Sequence, residues 1–246
     1  MRIERTTHQD WLSNTYLVAA GGCGVFIDTG ADVEPLLHLA ERDRIEITHV
    51  IATHRHPDHI LNNTVVLAAT GADLVAHEKD ADAIGGVTQR VSSGEIIETG
   101  SLRIKVLHIP GHTAGQIALL VNETELFTGD TLFKGSIGGC VGPGHTTFDD
   151  LRHSIMDVLM ALPHETRVYP GHTDPTTIGD EWNRNPFIRI MRGEDPEGRA
   201  ACVFGGSPAT LILEATDYDG GTKAWVRTPE MGDLVVPGSA VRDQPS

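Results

Sequence analysis

The sequence has few cysteines for its length, and those it has are far apart. Only Cys23, Cys140 and Cys202 occur among 246 residues, and no two cysteines are separated by just two residues. An odd and widely spaced set does not form a disulfide framework, and a cysteine-based zinc finger is excluded. We therefore interpret each cysteine as a small hydrophobic residue.

Basic residues are also scarce. Lysine and arginine total 19 against 34 aspartates and glutamates, which gives a formal net charge of −15. Such a surface repels phosphate backbones, so we expect no nucleic-acid partner. A pocket that holds divalent cations would still be locally positive and could accept an anionic substrate.

Long hydrophobic runs are missing as well. No stretch approaches the roughly 20 apolar residues that cross a bilayer, so we expect no membrane association. The N-terminal residues 1–6, Met-Arg-Ile-Glu-Arg-Thr, contain no apolar segment typical of a signal peptide. On this basis the predicted location is the cytoplasm.

The pattern of apolar residues indicates an α/β fold. Predicted helices at residues 33–43, 58–69 and 149–162 are interspersed with strands, and some of the strands are joined as hairpins. Two mixed sheets with helices outside them fit this order. We expect one domain over residues 1–193 and a β-rich extension over residues 194–246. The extension is open to three interpretations: a lid, an accessory sheet, or a contact in a homodimer.

Histidines are concentrated in one short segment that follows a predicted strand. Within six residues the chain carries His54, His56, Asp58 and His59. Histidines two positions apart on an extended segment point the same way and can share one ion, while Asp58 and His59 can reach another. Imidazole and carboxylate groups suit Zn²⁺ and its first-row neighbours, so the segment predicts a metal site.

Three later segments place a glycine directly before a candidate ligand. They are Pro-Gly-His ending at His112, Thr-Gly-Asp ending at Asp130, and Pro-Gly-His ending at His172. Glycine allows a sharp turn as a strand ends, which brings the next side chain to the rim of a sheet. Together with the histidine-rich segment, these residues predict a shared centre.

These motifs resemble those of the metallo-β-lactamase superfamily, and in particular its glyoxalase II-like (hydroxyacylglutathione hydrolase-like) hydrolases. Matches such as Phe-Thr-Gly-Asp-Thr at 127–131 and Asn-Pro-Phe at 185–187 extend the resemblance over roughly residues 12–190. The resemblance implies a four-layer αββα sandwich with two metal ions at the rim between its sheets. His54, His56 and His112 would hold the first ion, Asp58, His59 and His172 the second, and Asp130 would bridge both.

The implied reaction is hydrolysis of a thioester or related acyl ester by a hydroxide shared between two Zn²⁺ ions, although the same ligands also accept iron or manganese. Asp58 is a candidate catalytic residue that would orient the nucleophile. Lys134, Ser136 and His145, in the loop after Asp130, are candidate substrate contacts. The Lys-x-Tyr element of glutathione-binding members is replaced by Gly139-Cys140-Val141, so the thiol stays open.

Three alternatives remain. A persulfide dioxygenase would use one iron and oxygen, but its sequences favour alanine before the last histidine, where this chain has Gly171. A β-lactamase would normally be exported. A metal-binding module without catalysis would not be expected to keep the full ligand set.

Overall fold

The computed structural model describes residues 1–244, and their order is that of a mixed α/β protein. The strands are, in chain order, β1 (Arg2–Thr7), β2 (Asn14–Ala20), β3 (Cys23–Ile27), β4 (Glu46–Ile51), β5 (Asp73–His77), β6 (Gln89–Val91), β7 (Ile96–Thr99), β8 (Leu102–His108), β9 (Ile117–Val121), β10 (Glu125–Gly129), β11 (Leu132–Phe133), β12 (Ser136–Ile137), β13 (Arg167–Pro170), β14 (Thr176–Thr177), β15 (Ala200–Phe204), β16 (Ser207–Thr216), β17 (Thr222–Thr228), β18 (Gly232–Pro237) and β19 (Val241–Asp243). The α-helices are α1 (Glu34–Asp43), α2 (Pro57–Ile60), α3 (Asn63–Thr70), α4 (Glu78–Ala81), α5 (Phe148–His153), α6 (Ile178–Arg184) and α7 (Pro186–Met191), with a π-helix at Ser154–Leu159 and a 3₁₀ turn at Gly238–Ala240.

Two six-stranded sheets form the centre of the protein. The first has the order β1-β2-β3-β4-β5-β6, in which the pairs from β3 to β6 are parallel. The second has the order β14-β13-β10-β9-β8-β7 and is antiparallel except for the β10–β13 pair. Parallel and antiparallel pairs therefore occur in both sheets, as the sequence predicted.

Both faces of each sheet are buried, which explains why the central strands are apolar at successive positions. In β2, Tyr16 and Val18 face the second sheet, while Leu17 faces a cluster that includes Leu36 of α1 and Val66 of α3. On the far side of the second sheet, strand residues pack against α5, the π-helix and α7. These layers make the four-layer αββα sandwich, and the predicted fold is confirmed.

The C-terminal extension is an antiparallel five-stranded sheet of order β18-β17-β16-β15-β19. Its residues share one hydrophobic cluster with the outer helices, and Trp225 of β17 lies 4.7 Å, centroid to centroid, from Phe148 of α5. The extension is therefore β-rich, as the sequence predicted. The division of the chain at residue 193 stays a prediction.

The helix predicted over residues 58–69 is interrupted. Helix α2 ends at Ile60 and α3 begins at Asn63, because Asn62 turns its side-chain amide to the carbonyls of Thr29 and Ala31, at 3.0 and 2.9 Å. Asn63 in turn accepts a 2.7 Å hydrogen bond from the Thr29 hydroxyl. The polar side chains tie the break to the loop after β3.

The helix predicted over residues 149–162 also differs from the structure. A capping box between Thr147 and Asp150 starts α5 one residue earlier, and from Ser154 the helix widens into a π-helix. Ser154 donates a 2.7 Å hydrogen bond to the carbonyl of Pro110, which ties this point to the loop that carries His112. Within residues 1–244, no helix is long and apolar enough to span a membrane.

Candidate metal centre

The seven candidate ligands lie where strands of the two sheets end. His54 and His56 follow β4, and Asp58 and His59 lie on α2 directly after them. From the second sheet, His112 follows β8, Asp130 follows β10 and His172 follows β13. Strand ends therefore bring ligands that are distant in the sequence to one rim.

Three histidines form the first group. Nδ1 of His56 lies 3.1 Å from Nε2 of His54 and 2.9 Å from Nε2 of His112. Two nitrogen ligands of one tetrahedral zinc ion, each bound at 2.0–2.1 Å, lie about 3.3 Å apart. The spacing of the three nitrogens thus suits a single ion.

Asp58, His59 and His172 form the second group. Oδ2 of Asp58 lies 3.5 Å from Nε2 of His59 and 3.5 Å from Nε2 of His172. The ligand atoms of this group all lie within 4.8 Å of one another, as do those of the first group.

The carboxylate of Asp130 lies between the two groups. Its Oδ1 is 3.2 Å from Nε2 of His59, and its Oδ2 is 3.2 Å from Nε2 of His172 and 3.6 Å from Nε2 of His112. One carboxylate therefore faces histidines from both groups, as a bridging ligand would.

Hydrogen bonds on the far side of the His56 and His112 rings show that their lone pairs face inward. Nδ1 of His112 lies 2.8 Å from the carbonyl of Gly139, and Nε2 of His56 lies 3.0 Å from the carbonyl of Pro143. A carbonyl only accepts, so these nitrogens carry the protons. The facing nitrogens of His56 and His112 are then both acceptors, and a cation between them would remove their repulsion.

His59 is fixed in the same way by Asp28. Oδ2 of Asp28 lies 2.9 Å from Nδ1 of His59, and the same carboxylate accepts bonds from the backbone and hydroxyl of Thr53, at 2.8 and 2.9 Å. A carboxylate behind a histidine fixes its tautomer and raises its basicity as a ligand. In the sequence, the only signal for Asp28 is the glycine two residues later, in Asp28-Thr29-Gly30, which is typical of a turn after a strand.

Several buried polar atoms at the centre have no hydrogen-bond partner. Within the described chain, these include Nε2 of His59, Nε2 of His172 and Oδ1 of Asp130. Nearly all buried polar atoms in proteins are satisfied. The three atoms are directed towards the same space, so the donor set fits divalent metal ions.

The electrostatics agree with this arrangement. Burial lowers the pKa of His54 well below its usual value and that of His112 to about 4, which keeps both rings neutral. Burial opposes charge on His59 too, but Asp130 and Asp28 raise its pKa well above the usual value. Burial also disfavours ionised Asp130, yet His59 and His172 hold its pKa far below the usual range. The carboxylates of Asp130 and Asp28 thus stabilise positive charge at the position of His59.

The three candidate substrate contacts have different surroundings. Lys134 is exposed and lines a groove of about 470 Å³ together with Tyr218. Ser136 is buried, and its hydroxyl donates a 2.9 Å hydrogen bond to Asp217. His145 is exposed, with Nδ1 2.6 Å from the carbonyl of Gly142. Contact with substrate stays a prediction for all three.

Tyr218 lies at the centre, although sequence reasoning missed it. Its ring stacks on that of His172, with centroids 4.2 Å apart and an interplanar angle of 15°. The sequence Asp219-Gly220-Gly221, directly after Tyr218, is typical of a turn and is the only local signal. Nothing in that pattern indicated that the turn would reach a metal ligand.

Comparison with known proteins agrees with the fold. The family model described as the metallo-beta-lactamase superfamily matches residues 8–172, so the chain belongs to this superfamily. The match ends at His172, and the C-terminal extension lies beyond it.

Relatives within the superfamily include hydroxyacylglutathione hydrolases. The protein of that name from Polaromonas sp. is 34% identical over 225 residues, which cover 89% of this chain and 78% of that protein. Another, from Rhodospirillum rubrum, is 33% identical over 232 residues, covering 74% of this chain and 88% of that protein. The relationship supports a metal-dependent hydrolase.

Two solved structures are similar to this one. ETHE1 from Myxococcus xanthus is 29% identical with a TM-score of 0.69, covering 79% of this chain and 92% of that chain. TTHA1623, solved in a di-iron-bound form, is 31% identical with a TM-score of 0.65, covering 75% of this chain and 99% of that one.

Proposed function

We propose that this protein is a dinuclear metal hydrolase that cleaves a thioester or related acyl ester. The observation that carries the proposal is the carboxylate of Asp130, whose two oxygens face histidines of both groups. The hydroxyacylglutathione hydrolase relatives support the choice of a thioester.

Each group would hold one ion. His54, His56 and His112 would bind the first, Asp58, His59 and His172 the second, and Asp130 both. Zinc suits these nitrogen and oxygen donors, and iron or manganese would also be accepted. When bound, two such ions lower the pKa of a shared water and polarise a substrate carbonyl.

We assign to Asp58 the role of orienting the attacking water. Its side chain is 26% exposed, against 8% for Asp130 and 1% for His172, so it is the carboxylate that meets solvent at the centre. Burial disfavours its charged form, but His172 and His59 nevertheless hold its pKa below the usual value. An anionic Asp58 can therefore accept a hydrogen bond from the attacking water and orient it.

The substrate is a small molecule with an acyl carbon next to sulfur or oxygen. Its leaving group would depart as a thiolate or an alkoxide. Gly139-Cys140-Val141 provides neither the lysine nor the tyrosine of glutathione-binding members, so we do not assign glutathione as the thiol.

A mononuclear iron dioxygenase acting on a persulfide is the second candidate. His54, His59 and Asp130 also have ligand atoms within 4.8 Å of one another. Two histidines and one carboxylate are the set that binds iron in many oxygenases. This candidate predicts one iron per chain and consumption of oxygen.

The deciding experiment measures metal content and activity on the same preparation. Protein purified without chelator is analysed by mass spectrometry for metals and assayed on a panel of thioesters, with a persulfide and an oxygen electrode as the second arm. Asp130→Ala is compared with Asp149→Ala, an exposed aspartate on α5. We expect about two ions per chain, thiol release that is lost in Asp130→Ala, and unchanged behaviour in Asp149→Ala. Full activity in Asp130→Ala, or one iron with oxygen consumption, would overturn the proposal.

A further inference from the structure

The C-terminal extension reaches the metal centre at two separate points. The turn after β16 carries Tyr218 to His172, and strand β18 carries Val235 to the loop that supports His112. Each contact serves a ligand of a different group. The extension therefore touches both halves of the centre from outside the part of the chain that the superfamily model matches.

His172 differs from the other ligands in how its ring is held. His59 and His112 each have Nδ1 beside an acceptor, at 2.9 Å from Asp28 and 2.8 Å from Gly139. Nδ1 of His172 is buried and, within residues 1–244, has no hydrogen-bond partner. Hydrogen bonding behind the ring thus does not fix its orientation.

Aromatic contacts fix the orientation of the His172 ring instead. Tyr218 covers the face of His172 at 4.2 Å, and Phe133 meets the ring at 5.7 Å with an interplanar angle of 84°. Tyr218 and Phe133 also pack edge to face, with centroids 5.2 Å apart. The three rings thus form one cluster, in which Tyr218 and Phe133 each contact His172 and also contact each other.

The turn that carries Tyr218 is itself anchored. Asp217 accepts the hydroxyl of Ser136 at 2.9 Å and pairs with Nζ of Lys223 at 3.0 Å. The side chains of Asp217 and Lys223 are 8% and 7% exposed, so solvent weakens this pair little. The contacts of Asp217 therefore fix the position of the turn that carries Tyr218.

The second contact acts through the backbone. The N–H of Cys140 donates to the carbonyl of Val235 at 3.1 Å, and the N–H of Val235 donates to Sγ of Cys140 at 3.2 Å. Gly139, next to Cys140, supplies the carbonyl that faces Nδ1 of His112. Edge strand β18 thus holds the segment that orients His112.

We propose that the C-terminal extension is a working part of the metal centre and that Tyr218 is a positioning residue, which holds His172 for the second ion by stacking on its ring. The inference rests on the proposed function, because it assumes that His172 is a metal ligand. The extension would then raise metal affinity in addition to any contribution it makes to folding stability.

The test measures zinc affinity by competition with a chromophoric chelator, on wild-type protein and on Tyr218→Phe, Tyr218→Ala and Phe204→Ala. Phe204→Ala is the matched control, because Phe204 lies on β15 and packs on the same cluster away from the ligands. Removing a group that orients a metal ligand typically costs about 10–100-fold in affinity. We expect a loss of that size for one of the two ions in Tyr218→Ala, and less than about 2-fold in Tyr218→Phe, which keeps the ring.

Two further measurements separate positioning from general destabilisation. The thermal midpoint of each metal-free variant reports on folding, and the absorption spectrum of the Co²⁺-substituted protein reports on ligand geometry. We expect Tyr218→Ala to change the spectrum and Phe204→Ala to leave it unchanged. If Tyr218→Ala does not fold, Tyr218→Leu replaces it, since leucine keeps most of the volume without the ring.

The outcomes distinguish the inference from the proposed function. A wild-type protein that binds two ions, with Tyr218→Ala binding both as tightly and with the same spectrum, would overturn the inference alone. Equal losses in Tyr218→Ala and Phe204→Ala would overturn it too, because the effect would then be general. A wild-type protein that binds no second ion would overturn both.

Discussion

A Cβ atom on Gly171 would lie only 2.2 Å from Oδ1 of Asp130. It would also lie 2.8 Å from Cε1 of His59. The residue before the last histidine therefore leaves just enough space for the carboxylate that faces both groups of ligands. An alanine methyl group would displace the Asp130 carboxylate from its present position, so the bridging role proposed for Asp130 depends on glycine at residue 171.

Gly171→Ala should accordingly weaken metal binding as well as lower the stability of the protein. The added methyl group displaces the Asp130 carboxylate, and we expect an affinity loss of about 10-fold or more for at least one ion. The cost in the free energy of unfolding should be about 1–3 kcal/mol, typical of overpacking. Chelator competition and urea unfolding of the metal-free protein measure the two effects.

Gly85→Ala is the control for that substitution, because Gly85 is exposed and no atom lies within 4 Å of its Cβ position. Unchanged metal affinity in Gly171→Ala would show that Asp130 does not occupy the bridging position.

Asp28→Asn should weaken metal binding although Asp28 is not itself expected to touch metal. An amide loses the negative charge behind His59 and has one oxygen for the three donors that now share two. We expect an affinity loss of about 10–100-fold. Isothermal titration of the metal-free protein measures it, with the exposed Asp32→Asn as the control. Equal affinities in the two variants would contradict the orienting role of Asp28.

Protonation of Glu125 should lower the stability of the protein in acid. Burial raises the pKa of Glu125, but Arg167 and the hydroxyl of Tyr169, 2.9 Å away, lower it below the usual value overall. A carboxyl with a lowered pKa in the folded state contributes stability fully above its unfolded pKa, near 4.3. That contribution is lost as the pH falls through the lowered folded value.

Glu125→Gln should therefore cost about 1–3 kcal/mol at neutral pH, and the difference from wild type should shrink below pH 4.3. Urea unfolding of metal-free protein across a pH series measures this difference. Glu98→Gln is the control, because the Glu98 side chain is 74% exposed. Its stability should differ very little from that of the wild type. A constant difference across the series would refute the assignment.

The buried pair of Asp217 and Lys223 gives a prediction about stability. Asp217→Ala leaves the Lys223 ammonium buried and unpaired, which should cost about 3–5 kcal/mol in the free energy of unfolding. Adding Lys223→Met removes that charge and should restore part of the loss. Urea unfolding of the single and double variants measures both, beside the exposed Glu230→Ala. A double variant less stable than Asp217→Ala would contradict this account.

The grouping of the seven candidate ligands could be predicted from the sequence, because each one follows a strand end or a glycine and these local signals do not depend on packing. His54 and His56 share one segment, and Asp130 and His172 each follow a glycine. The break at Asn62 could not be predicted in this way. Its cause is a pair of carbonyls at Thr29 and Ala31, about thirty residues earlier, so the interaction is non-local.

Tyr218 shows the same limit more strongly. It lies 46 positions after His172 in the printed sequence, on a turn whose local residues specify only a turn. Its position depends on how the extension packs against the outer helices and on the ion pair between Asp217 and Lys223. Hydrophobic periodicity predicts the strands of the extension but not the face of the protein on which they lie.

The pairing of Val235 with Cys140 also bears on the order of events during synthesis. Ribosomes add residues from the N-terminus at about 5–20 per second, so His54 through His172 emerge before Tyr218 and Val235. On a nascent chain the seven ligands would lack both supports from the extension. Tight metal binding would then require the extension to be synthesised and folded. A chain that terminates before Tyr218 would bind metal ions more weakly.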